Sequence, residues 1–277
     1  MDFTLKKVFR VVFPILIYLA IERIVSFCAN FLYICVNFDK DMVWTQEVKN
    51  QVNLSLYDMQ NKNIILLTGI IAVIGIVIFY NMLKKEWNKR PYCLELFPSY
   101  KKPYVYVTFI AIGFTISVNL LINAWGLFKY DWDFAQVSRM IYYEPIYMQI
   151  LVIGILVPIC EELLFRGLIY ERILQSGSMK SAMFLTSLLF AFFHGSWIQI
   201  IYAFVFSYLM LYVYFKCGSF RAPVIFHIIS NLSSLILRQF PPLSTMGYSV
   251  GIVVFILLGL IGISLLKRSK CYQKAYK

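Results

Sequence analysis

IYMQILVIGILVPICEELLFRGLIY, residues 146–170, is an apolar run with two glutamates and an arginine set into it. About 20 helical residues cross a hydrocarbon core of roughly 30 Å, so the run is long enough to be a membrane span. Ionisable side chains at that depth are costly and need a reason. Glu162 and Arg166 stand i,i+4 with the acid on the N-terminal side, the favourable order for an intrahelical ion pair. Glu161 points about 100° away and is left as the unpaired carboxylate, available as a general base. Pro158, three residues earlier, is placed to kink the helix and admit water. The plainer reading is a cytoplasmic helix end whose acids are neutralised by Arg166 and Arg172.

The rest of the chain repeats the apolar theme. Hydrophobic residues make up 60 % of 277 and mean hydropathy is +0.71, which excludes an ordinary soluble domain. Apolar runs at about 11–36, 64–83, 104–127, 146–170, 180–197, 198–215, 222–238 and 248–266 predict an all-α polytopic membrane protein of about eight transmembrane helices. The net charge of +12 follows topology: loops that alternate to one side hold 19 of the 26 Lys and Arg. This positive-inside bias puts both termini in the cytoplasm and argues against a nucleic-acid partner. The first span follows a basic N-terminus but holds Glu22 and Arg23 and lacks a small-residue cleavage site behind it, so it reads as an anchor. Six cysteines without a C-x-x-C, none in an outer loop, predict no disulfide framework.

The connector 37–63 is polar, with an interfacial stretch expected around Trp44 to Tyr57. Loop 84–103, with Pro91, Pro98 and Pro103, suggests a division between an N-terminal helix pair with its loops (1–103) and a six-helix catalytic core (104–277), integrated as one membrane domain.

Two further polar runs hold the only histidines. Phe190 and His194 are one helical turn apart, so the ring restricts the imidazole, and Gly195 follows directly. His227 and Asn231 share a helical face, and each can donate toward one point, as a developing oxyanion requires. Taken singly, these are more often interhelical contacts than catalysts. Together they supply a general base, an orienter and an oxyanion clamp on three helices.

The ordered set EExxxR, FxxxH and HxxxN resembles the CPBP family of intramembrane proteases, also called Abi, which includes the type II CAAX prenyl proteases. The resemblance covers about 150–235, and the eight-helix count agrees over the whole chain. It implies hydrolysis of peptide bonds in membrane-associated peptides or proteins within a lipid bilayer. Glu161 and His194 would activate water, His227 and Asn231 would hold the oxyanion, and Glu162, Arg166 and Phe190 would support them. The family has been described both with and without metal. Here a metal-free site is favoured, although zinc on Glu161, His194 and His227 is chemically reasonable. Some bacterial relatives are linked to bacteriocin immunity or peptide maturation, the composition rich in Lys, Ile, Asn, Phe and Tyr suits an AT-rich bacterial genome, and a bacterial plasma membrane is the expected location.

Two alternatives stand beside the protease. A proton-coupled small-solute transporter would be expected to show repeats and a polar stripe through several spans, and the sequence has neither. A non-catalytic binding or immunity protein on the same scaffold is disfavoured by the intact motif set. The protease reading carries one geometric demand. In a flat arrangement His227 lies about six residues from the inner face and His194 about fourteen, a gap of roughly 12 Å. The fourth and fifth helices must extend or tilt for the motifs to meet.

Overall fold

The computed structural model describes residues 3–39, 42–87 and 102–269. Among them it is helical throughout, without a strand. Ten helices follow in order, with a short 3-10 turn, Leu127–Lys129, between the fourth and fifth. They are α1 (Phe3–Asn37), α2 (Gln46–Lys62), α3 (Ile64–Trp87), α4 (Lys102–Ala124), α5 (Trp132–Tyr143), α6 (Ile146–Leu174), α7 (Met179–Phe192), α8 (Trp197–Cys217), α9 (Arg221–Leu237) and α10 (Thr245–Arg268).

Six of these are long and apolar enough to span a membrane, whereas α7 and α9 are apolar but short. The expectation of eight full spans therefore becomes six long helices and two short ones. At 1.5 Å per residue α7 is only about 21 Å long. The run expected at 180–197 breaks because Gly195 adopts φ +72° and Ser196 starts the next helix by accepting a hydrogen bond from Gln199 N. Side-chain caps of this kind also open α2 at Thr45, α5 at Asp131, α7 at Ser178 and α10 at Ser244. The interfacial stretch expected in connector 37–63 is the helix α2, and α5 was not anticipated. Pro91 and Pro98 lie outside the described residues, and Pro103 stands in the first turn of α4, where its missing N–H costs nothing.

Large apolar side chains face outward along α1, α3 and α10, for example Phe27, Leu32, Val77 and Leu257. Such a continuous apolar exterior requires lipid rather than water around it. The centre of the bundle is α6, in which Leu163 to Tyr170 are buried all round. Two eight-residue stretches of α6, Gln149–Leu156 and Leu163–Tyr170, are π-helical and flank a six-residue α-helical piece, Val157–Glu162. Wide turns of this sort are rare and gather at functional sites. Helices α1 and α3 pack along α6, while α4 pairs closely with α10. A Cβ on Gly113 would meet Gly259 N at 2.4 Å and Phe255 O at 2.6 Å, so α4 and α10 touch backbone to backbone.

Candidate active site

The two glutamates sit at the end of the α-helical piece, where α6 passes α8 and α9. Glu162 and Arg166 are both fully buried and form the expected i,i+4 pair, Nη1 to Oε1 at 2.8 Å. Arg166 Nη2 donates to Ser207 Oγ at 2.9 Å and to the Ser207 carbonyl at 3.3 Å, which locks α6 to α8. Glu162 Oε1 also faces His227 Nδ1 at 2.8 Å. A buried ion pair needs hydrogen bonds to its remaining valences; Ser207 and His227 supply some of them, while Glu162 Oε2 and Arg166 Nε have no hydrogen-bond partner among the described residues. Sequence reasoning found the pair but not Ser207, because a serine on a distant helix carries no local signal.

Glu161 projects differently, as its 100° offset requires. Its Oε2 lies 3.7 Å from His227 Nε2, and its side chain keeps 20 % exposure. That separation is too long for a hydrogen bond but lets one water or substrate oxygen touch both groups. His194 Nδ1 lies 2.9 Å from the Phe190 carbonyl. A carbonyl only accepts, so Nδ1 carries a proton, and in the neutral ring Nε2 is then the acceptor. Phe190 is the hub of the arrangement. Its ring centroid lies 4.7 Å from His194, 5.8 Å from His227 and 4.6 Å from the Arg166 guanidinium carbon.

Asn231 is held by a feature that begins with Pro158. In the first π-helical stretch Val157 N–H reaches back five residues to Val152 O. The same step from position 158 would end on Ile153 O, but proline has no N–H. Asn231 Nδ2 donates to that carbonyl instead, at 2.8 Å. One of its two amide hydrogens is thus spent on the backbone, and one remains.

Glu161, Phe190, His194, His227 and Asn231 all line one cavity of about 1040 Å³, so the three motifs do meet. His194 sits in the turn after a short helix rather than inside a long one, so the depth gap expected of a flat arrangement does not keep the histidines apart. A second, smaller pocket between α1, α6 and the end of α7 also reaches Glu161, past Tyr18 and Phe193.

The loop that carries His194 is pinned from outside. Asp131 Oδ1 accepts from Phe134 N at 2.9 Å, and its Oδ2 accepts from Ser196 Oγ at 2.7 Å and from Ile198 N at 3.1 Å. Burial alone would raise this carboxyl, and those donors outweigh it, holding it below the usual carboxylate range. Asp131 was missed because a lone acid between spans reads as an ordinary loop residue.

The histidine tautomers resemble those of metal-bound imidazoles, whose second nitrogen is tied to an acceptor. The donor set does not converge, however. Among the described residues no three of His, Cys, Asp and Glu come together closely enough to hold a metal. As arranged, the residues do not fit zinc.

Residues 144–233 match the family model "Type II CAAX prenyl endopeptidase Rce1-like", which bears out the family resemblance over that segment. The chain is also similar to UPF0177 protein YxdF of Lactococcus lactis subsp. lactis, 38 % identical over 90 residues. That alignment takes in 32 % of this chain and 49 % of the relative, so it spans about half the relative's length. No solved structure matches.

Proposed function

We propose that this chain, whose residues 144–233 match the Rce1-like family, is an intramembrane endopeptidase acting on membrane-associated peptides or protein tails. The observation that carries the reading is the pairing of Glu161 with His227 across 3.7 Å at the wall of a large cavity.

In this mechanism Glu161 takes a proton from a bound water as its oxygen attacks the scissile carbonyl. His194 accepts the water's other hydrogen at Nε2 and so fixes the direction of attack. The tetrahedral oxyanion receives hydrogen bonds from His227 Nε2 and from the remaining amide hydrogen of Asn231. Because Nδ1 of His227 donates to Glu162, Nε2 donates only when the ring is an imidazolium. Its charge and that of Arg166 then balance Glu161 and Glu162. On collapse the proton on Glu161 passes to the leaving amine, giving one carboxylic acid and one amine. Glu162, Arg166 and Phe190 act by holding His227 and His194 in place. No step runs through a metal. The integral membrane setting follows from the apolar helices, and a bacterial plasma membrane with cytoplasmic termini is part of the same proposal.

The test is peptidase activity of the full chain in lipid on a membrane-peptide library, beside Glu161→Gln and His194→Ala, each with and without a chelator. The expected result is cleavage by the wild type that both substitutions abolish and chelation spares. Loss on chelation with recovery on added zinc would replace the mechanism by a metal-dependent one. Full cleavage by Glu161→Gln would refute it.

A further inference from the structure

The catalytic cavity runs toward one end of the bundle, and the distribution of charge says which side of a membrane that end faces. From Glu161 and His227 it passes Ser230 and Ser234 to the end built from α5, the last turn of α9 and the start of α10, where Phe240, Leu243 and Tyr248 border it. Among the described residues, none of its lining comes from the connectors at the opposite end, where α6 leads to α7 and α8 to α9. Polar side chains mark the way to the mouth. Thr115, Asn119 and Asn123 follow one another at four-residue steps along one face of α4, and Asn119 Nδ2 donates to Ser234 Oγ of α9 at 3.0 Å. Thr115 Oγ1 and Ser230 Oγ border the same space, are buried, and have no hydrogen-bond partner. Such a wall suits water and peptide groups rather than lipid.

The opposite end is shut. His227 lies six residues from the start of α9 and ten from its end, about 9 and 15 Å, so the shorter way out would be there. Yet Phe220, Ala222 and Phe226 are buried on that side, as is the whole stretch Leu163–Tyr170 of α6. Hydrogen bonds bolt it as well. Tyr214 donates to Glu171 at 3.1 Å, and the Tyr104 and Ser219 hydroxyls share a bond at 3.0 Å. The Arg172 guanidinium donates to Glu86 of α3 and to the Arg10 carbonyl of α1, which Pro14, four residues on, has no N–H to serve.

Basic residues gather at the shut end. Lys84 and Lys85 close α3, Lys216 closes α8, and Lys267 with Arg268 closes α10. They belong to the 19 that the positive-inside bias assigns to the cytoplasm. At the mouth end Arg139 and Arg238 lie over the rings of Trp132 and Tyr142, at 5.2 and 3.5 Å. Trp44, Trp125, Trp132 and Trp197 are exposed at that end, as suits a membrane–water interface.

Resting on the protease reading and its cytoplasmic termini, we infer that the site is served from the extracytoplasmic face. The substrate is a peptide or membrane-anchored tail that already stands outside the cell, enters between α5, α9 and α10, and is cut about 15 Å below the mouth. A reaction that carries the chain across the membrane must come first, and the products leave on the outer side.

Side-specific labelling tests the orientation without using catalysis. In the full-length chain Cys28, Cys35, Cys93 and Cys271 are replaced by serine, and Ser138→Cys, Ser230→Cys or Ser176→Cys is added singly. Ser138 and Ser230 line the cavity, and Ser176 is exposed in the connector between α6 and α7. Right-side-out and inside-out vesicles from the same cells are treated with an anionic thiosulfonate. Because the charged reagent does not cross hydrocarbon, Ser138→Cys and Ser230→Cys are expected to react at least about tenfold faster in right-side-out vesicles, and Ser176→Cys in inside-out ones. The opposite preference overturns the inference. So does a Ser230→Cys protein that reacts from neither side, or from the side of Ser176→Cys. A second measurement needs no substitution: peptides that the purified wild type cleaves, capped with a sulfonated dye, are added outside sealed vesicles of each kind. Cleavage is expected with right-side-out vesicles, and cleavage confined to inside-out ones overturns the inference. The expected labelling in a protein whose wild type cleaves nothing would leave the outward cavity standing and sink the protease reading.

Discussion

Replacing Asn231 with alanine removes two things at once, and Pro158 allows them to be told apart. The Asn231 amide occupies the Ile153 carbonyl that Pro158 cannot serve. Leaving a buried backbone acceptor without a partner costs about 1–3 kcal/mol. In a Pro158→Ala background the chain regains an N–H at the position that points to Ile153, so the same substitution should cost under about 1 kcal/mol there. The assay is a double-mutant cycle on unfolding of the full chain in mixed micelles, with peptidase rate measured on the same four proteins. Stability is expected to recover in the double variant while the rate remains low, because the second amide hydrogen that would meet the oxyanion is still missing. Equal destabilisation by Asn231→Ala in both backgrounds would refute the link to the proline. Recovery of rate together with stability would show that Asn231 acts through the backbone alone.

Asp131→Asn exchanges an acceptor of two hydrogen bonds for an amide facing Ser196 and Ile198. With each bond taken at the low end, the loss is about 2–3 kcal/mol. Its carboxyl is depressed in the folded state, so this stability is complete above the unfolded value of about 3.9 and fades as pH falls through the folded value. Unfolding curves of wild type and variant should therefore converge in strong acid, and a gap independent of pH would count against an ionised Asp131. Gly113→Ala drives a methyl into backbone atoms of α10 and should cost about 3 kcal/mol by thermal unfolding, since neither partner is a movable side chain. Gly195→Ala meets nothing within 4 Å, so only its φ of +72° resists, at about 1–2 kcal/mol. A larger loss at 195 than at 113 would reverse the assignment of strain.

The reach of the sequence depended on how local each signal was. Glu162 with Arg166 and His227 with Asn231 are pairs one turn apart on a helix, and Phe190 with His194 keeps the same spacing into the turn that ends α7, so spacing alone foretold that each pair meets. The α6 span was legible for the same reason. What escaped were groups joined across helices: Ser207 on α8 beneath Arg166, Asp131 beneath the His194 loop, and the exposed arginines stacked on α5. Neither did periodicity reveal the π-helical stretches, because a uniformly apolar run such as 150–156 has no face to register a change of pitch. Only Pro158 hinted at them, and it was read as a kink rather than as a carbonyl awaiting a donor.

Glu161 borders two spaces, the large cavity and the small pocket beside α1 lined by Ile15, Leu19 and Phe192. The second is mostly greasy and faces the surroundings of the bundle, so whatever solvates the protein can lie against the same carboxylate that is to meet water. A surfactant tail lodged there would behave as an inhibitor without resembling a substrate. Turnover should then fall as tail length grows across a series of maltosides with one headgroup and return on transfer to bilayers, with unfolding temperatures unchanged. Indifference to tail length would mean that the side door is closed in practice.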